Sequence, residues 1–201
     1  EIDERHGAIQ DAIATREHAN KPDVLAPRFY TTGPMLDKSN IKSVKDAIDM
    51  VKFHQQRGYD YIKVHDDFSL DIYLILLDNA EKAGIPVVGH AQRDLPLEYS
   101  LRMASLAHIE EFMYLYTKEQ LADKIILAKI AQQVKNSGAY VSPTLSTFAL
   151  LPKYGSDQRF DVLNQRKESR YLPKSTREFW GTDNNPFRAK TWFTAPESIV
   201  R

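Results

Sequence analysis

Cysteine is absent from all 201 residues, which excludes disulfides, thiolate metal ligands and a cysteine nucleophile and leaves the redox compartment open. An excess of charge of one sign is missing as well, because 27 basic residues balance 27 acidic ones. The electrostatic footprint of a nucleic-acid or anionic-membrane binder is therefore not there, and a small-molecule substrate suits the balance. Long apolar runs are lacking too: Ile72 to Leu77 and Ile85 to Val88 fall far short of the roughly 20 residues a membrane helix needs. No GxGxxG or phosphate loop occurs, which counts against nucleotide binding. The chain opens at Glu1 on helix-like sequence, without initiator methionine or signal sequence, so its natural start is expected upstream. None of these absences assigns a compartment.

What is present is a hydrophobic content of 42%, enough to bury a core, and an alternation of short apolar runs with helical periods. A weak helical pattern spans Ile9 to Arg16, and the aromatic and β-branched stretch from Val24 to Thr31 predicts a strand closed by Gly33-Pro34. Val44, Ala47, Ile48 and Val51 recur at helical spacing from Ser43 to Arg57, with Gly58 as the stop. Tyr59 to His65 reads as strand, Ser69 as cap of a helix over Leu70 to Ala83, and Ile85 to His90 as a buried parallel strand. Leu95 to Met103 suggests a brief helix and Leu106 to Ile109 another strand. Thr117 with Gln120 forms a capping box opening one helix from Lys118 to Asn136, and Ala139 to Ser142 a further strand. Beyond Leu151 the sequence becomes charged, aromatic and irregular. Strands alternating with helices make a parallel sheet, either doubly wound or part of a β/α barrel.

Three polar residues stand at the ends of these runs: Lys63 after Tyr61-Ile62, His90 after Val87-Val88-Gly89, and His108 after Leu106-Ala107. Active sites of β/α proteins are built at the C-terminal strand ends, and neighbouring strands would bring these side chains close enough to share a cation. His65 lies two residues from Lys63 and so on the same face, further toward the site where substrate would sit. Arg93 and Asp94, just after His90, are placed to reach a substrate carboxylate or orient a ligand, with a plain loop ion pair as the simpler account. His54, among Lys52 and Gln55, is expected to be solvated, like His6 and His18.

The string Gly58-Tyr59-Asp60-Tyr61-Ile62-Lys63-Val64, followed by Asn79-Ala80-Glu81-Lys82-Ala83-Gly84-Ile85-Pro86-Val87-Val88-Gly89-His90-Ala91, resembles the amidohydrolase superfamily, in its imidazolonepropionase-like and dipeptidase-like branch. Ser105-Leu106-Ala107-His108-Ile109-Glu110 is similar to that branch's next strand, with Ala107 where a glutamate is common. Pro27-Arg28-Phe29-Tyr30 through Gly33-Pro34 resembles its third strand, and Val141-Ser142-Pro143-Thr144-Leu145 its seventh. The resemblance implies an α/β chain, a (β/α)8 TIM-type barrel of which this sequence carries roughly strands three to seven, with residues 1–201 part of one hydrolase domain. It also implies a metal-dependent hydrolase in which His90 and His108 bind a divalent metal, zinc by default, and Lys63, carboxylated by carbon dioxide, bridges two such ions. An amine must be neutral to be carboxylated, and burial is what neutralises a lysine. The metal would activate water against an amide bond in a small or dipeptide-like molecule.

The family's His-x-His pair on the first strand has no counterpart here: the histidines are His6, His18, His54, His65, His90 and His108, and no two are separated by a single residue. Its eighth-strand aspartate is not evident either. Gly181-Thr182-Asp183 offers the tripeptide but follows Thr176 to Trp180 rather than an apolar strand, and reads as a loop before a last strand lying beyond Arg201. Two other readings stay open: an aldolase forming a Schiff base on Lys63, and a non-catalytic scaffold.

Overall fold

The computed structural model describes residues 12–147, 162 and 165–181. The chain divides into two compact units, Glu1–Pro143 and Thr144–Arg201.

In the first unit, helix α1 (Ala12–Ala19) is followed by irregular chain, α2 (Val44–Arg57) and strand β1 (Ile62–Val64). Then come α3 (Leu70–Ala83), β2 (Val87–Gly89), the single turn α4 (Leu97–Ser100) and β3 (Ser105–Ala107). The short helices α5 (Glu111–Leu115) and α6 (Lys118–Ala122) lead to α7 (Lys124–Ser137) and β4 (Tyr140–Ser142). Among the described residues of the second unit are a 3-10 helix (Lys167–Tyr171) and α8 (Lys174–Gly181).

Sequence periodicity explains the long helices. In α2 the buried positions are Ala47, Val51 and His54, and in α3 they are Tyr73, Leu76, Leu77 and Ala80, the three- and four-residue steps of one helical face. Ser43 caps α2 by accepting from the Asp46 amide. Ser69 occupies the corresponding position before α3 but makes no cap hydrogen bond with its side chain.

All four strands are parallel and lie in the order β1-β2-β3-β4. Strands in sequential order, joined by crossovers of the usual right hand, carry their connecting helices on one face. Ile62, Val64 and Leu106 point into that helix-covered side, each at 0% exposure, in a core with Leu36, Val51 and Leu76. Each such side chain contributes about 1.5–3 kcal/mol through burial. Alternation along the strand turns Lys63, Val88, Ser105 and Tyr140 to the other face, where the register sets them side by side.

The structure differs from the sequence reading in several elements. Val24 to Thr31 forms no strand. Its only ladder-like contacts are at Thr31, whose carbonyl accepts from the amides of Asp60 and Tyr61 and whose amide donates to the Asp60 carboxylate. The parallel contact with β1 falls to Leu36 instead, whose amide donates to the Lys63 carbonyl at 2.8 Å. The single helix expected over Lys118 to Asn136 is broken at Asp123, whose extended backbone (ψ 114°) ends α6 while its carboxylate caps α7 through the amides of Ile125 and Ile126. The helix α5 had no periodicity long enough to announce it.

Candidate functional site

His65, His90 and His108 each follow the last residue of a strand, β1, β2 and β3 respectively. Because the strands are parallel, all three stand at one edge of the sheet, the C-terminal edge. Their rings touch in sequence: centroids of His65 and His90 are 4.5 Å apart, and those of His90 and His108 5.0 Å.

Two backbone features produce that meeting. Gly89 pairs with Val64 across β1 and β2, and a Cβ built on it would lie 2.0 Å from the Val64 carbonyl oxygen, at φ +136°. Only glycine permits strands this close in this conformation. At His108 alternation alone would aim the ring at the helix side, since Ser105 and Ala107 take the open face. Its φ of 72° is the left-handed conformation that a non-glycine residue adopts at a cost of about 1–2 kcal/mol, and it redirects the ring toward His90. Hydrogen bonds from the His108 amide to the Ser142 carbonyl and from the Ile109 amide to the Pro143 carbonyl hold the turn against β4. A strained residue of this kind at a strand end is a mark of a functional site.

Lys63 sits in the middle of β1 on the open face, half-buried, and near enough for its charge to act on His90. His65 is 36% exposed, and its Nδ1 contacts the Asp66 carboxylate at 2.8 Å. Burial raises the Asp66 pKa, but hydrogen bonds from the Lys38 amide and from His65 outweigh it, and the carboxyl stays below its ordinary range. His90 is more enclosed than His65, at 13%. Burial foremost, then the charges of His65, His108, Lys63 and Arg93, push its pKa down to about 3. His90 is thus a neutral imidazole, and its buried Nδ1 has no hydrogen-bond partner.

Arg93 does form an ion pair, with a partner from the next strand's turn. It reaches across to Glu111 at the start of α5, with Nε and Nη2 on the two carboxylate oxygens at 3.1 and 2.8 Å, and lies 4.1 Å over the Tyr114 ring. Its amide donates to Asp67 in the loop after β1. Next to it Gln92, fully buried, accepts from the Phe68 amide and donates to the Asp66 carbonyl. The loops carrying the three histidines are therefore stitched together by two adjacent residues. Glu111 escaped the sequence reading: it is one acidic residue of a Glu110-Glu111 pair, and only its 1% exposure sets it apart.

His54 is corrected by the structure. It is not solvated but fully buried, with its two ring nitrogens on the carbonyls of Met50 and Pro34, because α2 turns it into the helix–sheet core. His18 is exposed, and His6 lies outside the described residues. Of Gly181-Thr182-Asp183 only Gly181 is described, as the last residue of α8. A cavity of 940 Å³ opens at the opposite edge of the sheet, lined by Leu77, Leu101, Arg102 and Ala104 among others, and takes in none of the three histidines.

Divalent zinc requires neutral imidazoles with an available lone pair. His90, a neutral imidazole, has that chemistry, and His108 stands beside it. Asp66 and Glu111 are engaged elsewhere, and among the described residues no three His, Asp or Glu converge as one ligand set. The two adjacent imidazoles have the donor chemistry a divalent metal uses.

Solved structures share this architecture. A bottromycin amidohydrolase superposes with a TM-score of 0.58 at 22% identity, over 88% of this chain and 42% of its own. An uncharacterized protein of known crystal structure follows at a TM-score of 0.53 and 18% identity, over 88% of this chain and 48% of its own. The chain thus spans less than half the length of either neighbour. No protein-family model matches it, and no curated protein does. At these identities the likeness establishes the fold alone: α/β with a parallel sheet, of the TIM-barrel type.

Proposed function

We propose that this chain is the central part of a metal-dependent amidohydrolase, supplying strands three to seven of a (β/α)8 barrel, the third represented here by the Leu36 bridge to β1 and the others by β1 to β4, and that the whole protein hydrolyses an amide bond in a small or dipeptide-like molecule. The observation that carries the proposal is the row of touching imidazoles, His65, His90 and His108, at the C-terminal edge of the sheet, with Lys63 on the same face below them. The name of the first structural neighbour, a bottromycin amidohydrolase, agrees with it.

His90 and His108 would hold a divalent ion, zinc by default among the metals that accept imidazole, together with Lys63 once carboxylated by carbon dioxide. Such an ion, when bound, polarises a carbonyl and lowers the pKa of water. The chain's own residues do the rest. The enclosed His90 ring keeps its lone pair because protonation is disfavoured there. His65, more exposed and oriented by Asp66, faces the space where substrate enters and offers it a hydrogen-bonding ring nitrogen. Arg93, at the rim, bounds that space on the β2 side.

The test is the metal content of the full-length protein and of its His90→Ala/His108→Ala variant, with hydrolysis of a dipeptide and N-acyl amino acid panel followed in parallel. Near-stoichiometric divalent metal and activity in the wild type, both lost in the variant, are expected. A wild type that takes up no metal after incubation with zinc and bicarbonate refutes the proposal. In that event a carbonyl substrate trapped on Lys63 by borohydride would carry the Schiff-base aldolase, and absence of an adduct the non-catalytic scaffold.

A further inference from the structure

We infer that Glu111, clamped by Arg93, is a positioning residue for His90: its carboxylate holds the ring proton on Nδ1 and so leaves Nε2 as the nitrogen that presents a lone pair. The inference concerns the same cluster as the proposed function and rests on that reading only where it touches metal affinity.

Three observations meet here. Glu111 is a carboxylate with 1% residue exposure, and a buried carboxylate is tolerated only where its charge is answered. Arg93 answers it through both oxygens, and is itself fixed by the Tyr114 ring beneath its guanidinium and by Asp67 on its amide. The carboxylate is therefore stationary. Its Oε1 lies 3.7 Å from His90 Nδ1, just beyond hydrogen-bond range, and Nδ1 is buried with no other partner. A neutral imidazole carries one ring proton, on either nitrogen. A fixed negative oxygen beside Nδ1 draws the proton there, and a small rotation of the ring closes the bond.

His65 gives the internal comparison. Its Nδ1 already meets a carboxylate, that of Asp66, at 2.8 Å. Each of these two rings thus has an acidic group behind Nδ1, the second-layer arrangement that orients imidazoles toward cations and whose loss costs about 10- to 100-fold in metal affinity. Glu111 opens α5, directly after the β3 turn that carries His108, and Arg93 lies in the loop after β2, so the pair also ties His90 to the segment that bears His108.

The test is ring-nitrogen NMR of histidine-labelled, metal-free full chain, comparing wild type with Glu111→Gln. The wild-type His90 is expected as the Nδ1–H tautomer, with the variant shifted toward Nε2–H and the His65 signals unmoved. An unchanged His90 tautomer, or Nε2–H already in the wild type, overturns the inference. Should Glu111→Gln fail to fold because Arg93 is left unpaired, the Glu111→Gln/Arg93→Gln variant removes both charges and is read against the same two outcomes. Zinc titration of the same samples is expected to show affinity falling about 10- to 100-fold. If even the wild type binds no zinc, the proposed hydrolase falls while the tautomer measurement still decides the role of Glu111.

Discussion

His108 shows the cost of the site at the level of a single residue. Its left-handed backbone is comfortable for glycine and strained for any residue with a Cβ. We expect His108→Gly to be more stable than His108→Ala by about 1 kcal/mol in chemical denaturation of the metal-free protein, although both lose the imidazole. Equal stabilities would mean that the turn relaxes when the ring is gone. His90 makes the second residue-scale prediction. Its folded pKa near 3 lies below the ordinary 6.5, so between those values the unfolded chain binds a proton that the folded chain refuses. The stability associated with the neutral ring is complete above about pH 6.5 and is lost as pH falls toward 3. Denaturation midpoints of metal-free protein should fall between about pH 7 and 4, and fall less steeply in His90→Gln. Identical pH slopes in the two proteins would show that the ring titrates freely. The sequence named His90 and His108 as polar residues closing apolar runs, which is visible in one dimension; it named Lys63 as the third, whereas the structure puts Lys63 in the middle of β1 and His65, read only as sharing its face, just past the strand end. Glu111 was not visible, since its burial depends on Arg93 arriving from another loop.

At the scale of elements, the helices α2 and α3 could be read almost to the residue, because their apolar faces repeat every three or four positions and end at Gly58 and Gly84. The segment after Thr117 was read as one helix, since Asp123 interrupts its sequence without interrupting its apolar period. The break comes from competition: the aspartate carboxylate satisfies two amides of a new helix start, Ile125 and Ile126, better than it tolerates a helix interior. Asp123→Ala should therefore cost about 1 kcal/mol of stability. A urea midpoint unchanged by that substitution would show that packing alone sets the break. The strand expected over Val24 to Thr31 failed for the opposite reason. Its residues have the composition of a strand, but Leu25 is fully exposed, and β-propensity has effect only where there is a surface to pack against.

For the molecule as a whole, a cation bound to the folded chain and not to the unfolded one raises stability by mass action. Zinc at about 100 times its dissociation constant should add about 2.7 kcal/mol to the full-length protein, and nothing to His90→Ala/His108→Ala. Thermal unfolding with and without zinc measures this, and an equal response in both proteins would place the metal elsewhere. The apolar groove of 530 Å³ between α5, α7 and β4, lined by Ile109, Met113 and Leu127 among others, is a further whole-molecule property. It leaves α7 with Ile130 as its buried residue, and no local pattern in the sequence separates such a helix from one fully packed.

By itself the sequence determined the alternation of short strands with helices, the helix faces and the polar residues that close the strands. These follow from period, from capping and from residue type, all of which act within a few positions along the chain. Only the tertiary structure decided the sequential order of the four strands in the parallel sheet, the meeting of the three imidazole rings, the shift of the β1 contact to Leu36 and the burial of His54 and Glu111. Those depend on backbone torsions at Gly89 and His108 and on partners 18 to 28 positions away, as with Arg93 and Glu111 or Leu36 and Val64, and neither is written into any local stretch of sequence.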